Sequence, residues 1–94
     1  MNTLLTYDVN KKHTEIKKAM KAKGYLDFWT SKSVVYYLPN TTLWKNDISS
    51  AKTALADIKS VTIKLGVSLE RAVAINWSPG DWEALTGNPH DELN

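Results

Sequence analysis

The side chains best placed by type and spacing to do chemistry are one carboxylate and the cations that follow it. Asp8 ends the run Leu4-Leu5-Thr6-Tyr7-Asp8-Val9, and Lys11, Lys12, Lys17, Lys18, Lys21 and Lys23 fall within the next fifteen positions. A carboxylate at the end of a buried strand, just before a basic helix, holds a charged group rigidly at a surface. A lysine-rich helix offers point charges to phosphates. Each feature also has a purely structural reading: Asp8 closing the strand or capping the next helix, and the lysines forming a solvated face. Other chemistries lack their parts. There is no cysteine, hence no disulfide and no thiolate metal site. His13 has no second His or Cys at ligand spacing. No Ser–His–Asp spacing or nucleophile turn is present, and the glycines at 24, 66, 80 and 87 are too dispersed to cradle a phosphate.

The elements that must position these residues follow from periodicity. Residues 3–9 alternate, with Thr3, Leu5, Tyr7 and Val9 on the core face and Leu4, Thr6 and Asp8 on the other. Residues 11–23 read as a helix with Asn10 as N-cap and Gly24 just past its end; Ile16, Ala19 and Met20 face inward, while Lys17, Lys18 and Lys21 lie away from that stripe. The aromatic and β-branched segments 25–29 and 32–38 read as a hairpin around Thr30-Ser31-Lys32. Pro39 interrupts regular pairing, so 40–45 reads as a loop or weak strand extension. Trp44, within it, either packs over the sheet edge or contacts a partner. The clearest helix spans 48–65, capped by Asp47 and stopped by Gly66, with Ala51, Leu55, Ile58, Val61 and Leu65 as its apolar stripe. A last strand covers 72–77, with Val73, Ile75 and Trp77 on one face and Ala72, Ala74 and Asn76 on the other. After the turn Ser78-Pro79-Gly80, Asp81 caps a short helical turn through Leu85, and residues 88–94 read as frayed.

Composition bounds the class. With 94 residues, 43% hydrophobic and 23% charged, the chain is one small globular domain rather than a disordered segment. No apolar run is long enough to span a membrane and no secretory signal pattern opens the sequence, so a cytoplasmic location is expected. The net charge of +2 is unevenly divided. Residues 80–94 hold Asp81, Glu83, Asp91 and Glu92 with no cation, so residues 1–79 carry a net +6. A single domain over 1–79 followed by a short acidic extension over 80–94 is expected, its body suited to a polyanion.

The order β-α-β-β-α-β with right-handed crossovers predicts an α+β, ferredoxin-like βαββαβ domain: a four-stranded antiparallel sheet with two helices on one face. The opposite face then has no cover from within the domain and needs a partner if it is apolar enough.

Leu5-Thr6-Tyr7-Asp8-Val9, the lysine-rich helix after it, and Ser31-Lys32-Ser33-Val34-Val35-Tyr36 resemble the Cas2 proteins of CRISPR adaptation and their Cas2-like relatives, over roughly Thr3 to Trp77. The resemblance implies a homodimer whose uncovered sheet faces pack together, with Asp8 of each subunit near the interface. In nuclease members an aspartate at that position is proposed to bind a divalent metal, which here implies Mg²⁺ or Mn²⁺ on Asp8 with Lys11, Lys12 and Ser33 near the phosphates. The chain departs from the pattern in carrying lysines where arginines are common after the aspartate, and Arg71 is its only arginine. Many family members serve as scaffolds.

Three functions follow as expectations. The first is a metal-dependent endonuclease using Asp8. The second is a non-catalytic dimeric scaffold that binds nucleic acid through Lys17, Lys18 and Lys21, alone or within a larger protein complex. The third is a protein- or ligand-interaction module in which Trp29, Trp44 and Trp82 make the contacts.

Overall fold

The elements run β1 (Asn2–Val9), α1 (His13–Ala22), β2 (Phe28–Ser31), β3 (Val34–Tyr37), β4 (Thr42–Lys45), α2 (Ala51–Leu65) and β5 (Leu69–Trp77). The structure is a computed structural model and describes residues 2–46, 50–78 and 82–87. β1 is the central strand of a three-stranded antiparallel sheet of order β4-β1-β5, while β2 and β3 form a separate two-stranded sheet. The expected single four-stranded sheet is therefore corrected to five strands in two antiparallel sheets.

The reason lies in residues 42–45. Thr42 and Leu43 are buried, Leu5 pairs with Leu43, and Leu4 with Trp44. This short segment, which reads from sequence as a loop or weak strand extension, takes the place beside β1 that the second hairpin strand was expected to fill. A single antiparallel bridge, Leu26 to Trp44, lies on the other side of β4. β2 and β3 instead pair only with each other, from Phe28–Tyr37 to Ser31–Val34. Lys32 and Ser33 form their two-residue turn, with φ of 49° and 67°. Two positive φ values match the twist of a tight hairpin, although Asn-Gly is the usual sequence for it.

The alternation expected in β1 holds. Thr3, Leu5, Tyr7 and Val9 are buried, and they join Ile16 and Met20 of α1, Ala54, Ile58 and Val61 of α2, and Leu43 in one core. Both helices thus lie on the same face of the three-stranded sheet. In β5, Ala72 and Ala74 pack toward this core, and Val73 and Ile75 point to the opposite face, where they are exposed.

Helix ends differ in detail from expectation. α1 starts at Lys12, whose φ is 60° and whose side chain makes no cap. Asn10 does not cap it; its Oδ1 accepts from the Ser68 N–H at 3.1 Å and ties β1 to the start of β5. Gly24, at φ 98°, supplies the left-handed turn after α1, where a Cβ would sit 3.2 Å from Lys45 Cε. α2 starts later than predicted, with Ser50 accepting from the Thr53 N–H, and closes on Gly66 in the left-handed region. Residues 82–87 form no helix. The expected cap at Asp47, the turn and cap over Pro79 to Asp81 and the frayed end over 88–94 lie outside the described residues.

Candidate functional site

Asp8 stands at the end of β1 on the face away from the helices, opposite Arg71 of β5. Arg71 Nε–H donates to Asp8 Oδ2 at 2.6 Å, with the two side chains 71% and 50% exposed. The carboxylate lines a shallow depression of about 160 Å³ with Thr6, Tyr7, Arg71, Ala72 and Val73. No candidate lysine lines it, nor does Ser33, which sits in the hairpin turn of the other sheet. Burial pushes the neighbouring Tyr7 hydroxyl up to about 12, so it stays protonated and uncharged at neutral pH. Among the described residues no three His, Asp or Glu side chains gather at metal-binding distance. A lone carboxylate already satisfied by a guanidinium does not fit a divalent metal within one chain. Asp8 is legible in the sequence as a strand-end carboxylate; its partner emerges only from the register that sets β1 against β5.

The candidate cations separate into two groups. Lys11 and Lys18 are exposed. Lys12 and Lys21, exposed as well, and the buried Lys17 are engaged within the fold. Lys12 Nζ donates to the Leu65 carbonyl at 3.2 Å, placing a cation at the carbonyl end of α2 where the helix dipole favours one. Lys21 pairs with the buried Asp27 at 3.1 Å. Lys17 is corrected from a solvent position: it is 8% exposed, and its Nζ donates to Asn40 Oδ1 at 3.1 Å. Its stem covers apolar surface while its ammonium reaches the loop before β4.

The helix side as a whole is nonetheless basic. Five lysines in the stretch 11–23 and three on α2, Lys52, Lys59 and Lys64, are exposed, against the exposed carboxylate Glu15. Asp57 is spent internally, accepting from the Tyr25 hydroxyl at 2.8 Å. Burial and that carboxylate together hold the Tyr25 phenol well above its ordinary range. Lys23 and Lys64 both line a groove of about 420 Å³ between the helices, together with Ala19, Ala22, Val61 and Leu65.

The opposite side of the sheet holds the arrangement that sequence reasoning did not assemble. Trp29 of β2 packs edge-to-face on Trp44, Trp77 and Trp82, with ring centroids 4.2, 4.6 and 5.4 Å away. Tyr36 meets Trp82 at 5.6 Å. Trp44 is further held by its indole N–H, which donates to the Phe28 carbonyl. The indole N–H groups of Trp29 and Trp77 are buried with no acceptor among the described residues. A small cavity of about 110 Å³ remains between these rings, Leu4, Leu38 and Ile75. The hairpin and Trp82 therefore cover one end of the sheet face that was expected to lack any cover from within the domain.

No helix among the described residues is long and apolar enough to cross a membrane. No protein-family model, curated protein or solved structure matches the chain.

Proposed function

We propose that this is a non-catalytic, dimeric, nucleic-acid-associated protein of the Cas2-like kind, which holds a polyanion against the lysines of its helix side. The observation that carries the reading is that both helices, lying on one face of the sheet, expose lysines, with Lys23 and Lys64 lining one groove between them. Such a surface attracts a phosphate backbone without reading its sequence.

The test is fluorescence anisotropy with short duplex DNA and single-stranded RNA across a salt series. Binding to duplex DNA should weaken steeply with salt, and the double variant Lys23→Gln/Lys64→Gln should flatten the logarithmic slope by roughly 0.9 for each phosphate it no longer neutralises. Absence of binding to either nucleic acid at low salt would overturn the reading.

A second reading, a phosphodiesterase dependent on Mg²⁺ or Mn²⁺, is favoured only by the half-exposed carboxylate of Asp8. It would need further ligands from a second copy. Metal-dependent cleavage that disappears in Asp8→Asn would establish it in place of the first.

A further inference from the structure

β5 is the outer strand of the three-stranded sheet, and among the described residues nothing pairs with its outer edge. Long, flat, apolar edge strands are ordinarily blunted by proline, lysine or an inward charge, because their free N–H and C=O groups otherwise template association. From Ala72 to Trp77 β5 carries none of these. Its irregularity falls at the other end, where the register shifts between Asp8 and Val9. Val73 and Ile75 are 58% and 51% exposed. The far end of the same face is occupied by the tryptophans, so the uncovered apolar strip lies along this edge.

We propose that β5 pairs antiparallel with β5 of a second copy, about a two-fold axis at Ala74, joining two three-stranded sheets into one of six strands. This specifies the interface of the dimer proposed above and rests only on that reading's dimeric part. The occupant is argued from the strand itself. An isologous interface must be self-complementary, and the charges of β5, Glu70 and Arg71, are confined to one end. Antiparallel pairing carries them to the opposite ends of the seam, whereas parallel pairing would bring like charges together. About Ala74, Val73 of each copy lies opposite Ile75 of the other, and Arg71 opposite Trp77, a cation beside an indole. On the helix side the facing residues are Ala72, Ala74 and Asn76, all small.

The chain has no cysteine, so a single introduced one reports unambiguously. Sedimentation of the wild type should show a species of twice the 10.6 kDa chain mass. Ala74→Cys should form a disulfide-linked dimer on mild oxidation. Thr6→Cys, in the middle of the open face, should not. Val73→Lys should sediment as a monomer with unchanged far-UV circular dichroism. A wild type that is monomeric at every concentration overturns the proposal. So does cross-linking of Thr6→Cys in place of Ala74→Cys, which would mean that the faces pack. Should Ala74→Cys not fold, hydrogen exchange on the wild type decides: β5 amides must lose protection on dilution, and unchanged protection overturns the edge pairing. Failure of nucleic-acid binding with the dimer intact would remove the function proposed above and leave this interface standing.

Discussion

The two sides of the three-stranded sheet are held by different means. On the helix side Leu5, Ile16, Met20, Leu43 and Ile58 are fully buried, and interdigitating aliphatic chains fill the space. On the other side four tryptophans and Tyr36 lean edge-to-face on one another while remaining partly exposed. The first is a core in the ordinary sense, where every removed methylene leaves a void. The second is a clasp: a few large rings fasten the β2–β3 hairpin to the end of the sheet, and two indole donors lack a described acceptor. Burial of aliphatic surface defines the domain, and aromatic contact attaches a piece to it.

That contrast can be broken in order of effect. Ile58→Ala, in the aliphatic core, should cost about 3 kcal/mol and shift the chemical denaturation midpoint of the whole domain. Trp29→Ala, at the centre of the clasp, should cost about 2 kcal/mol, less than a fully buried tryptophan because the ring is partly solvated. Its near-UV circular dichroism should collapse while far-UV helix signal persists; simultaneous loss of both would show that clasp and core are one unit.

Alkaline titration probes the two core phenols. Tyr7 is raised from 10.0 to about 12 and Tyr25 is raised further, so stability is fully present below pH 10 and declines as pH rises toward 12. The unfolded chain releases those protons first, and each phenol contributes a fall of up to about 1.4 kcal/mol per pH unit in that window. Tyr7→Phe should remove its share of the slope in denaturation measured from pH 9 to 12; an unchanged slope would place that phenol in contact with water. The smallest effect belongs to Arg71→Ala. Its pair with Asp8 is a surface one, worth about 0.5 kcal/mol or less and weakening with salt. A loss beyond that would come from the β5 seam, where the proposed pairing sets Arg71 beside Trp77 of the second copy.

What the sequence discloses follows from local pattern. The alternation of β1 and the left-handed glycines at 24 and 66 each depend on neighbours within a turn or a pleat and are readable; the stripe of α2 is readable at Ile58 and Val61, whereas Leu55 is 38% exposed and Thr62 is buried. The misreadings share a cause. Thr42 to Lys45 is so short that it reads only as a loop or weak strand extension; it becomes a full partner because Leu5 and Leu4, some forty positions away, offer it a ladder. Lys17 reads as solvated on a helical wheel because Asn40, which receives its ammonium, belongs to a loop whose position no periodicity reveals. The tryptophans at 29, 44, 77 and 82 are visible as residues needing cover, but their meeting is a property of the assembled sheets. Likewise Asp8 stands out without Arg71, its partner across 63 positions.

The central position of β1 fixes the order in which this chain can be built. Its partners are β4, about forty positions downstream, and β5, about seventy, with Leu4 facing Trp44 on one side and Ile75 on the other. During synthesis β1 therefore waits, with one edge free, until Leu69–Trp77 has followed it out. The helices and the β2–β3 hairpin close locally in the meantime, since short loops cost little entropy. Completion of the sheet thus follows that of the helices and the hairpin, and over that interval β1 is the segment most in need of a chaperone's protection.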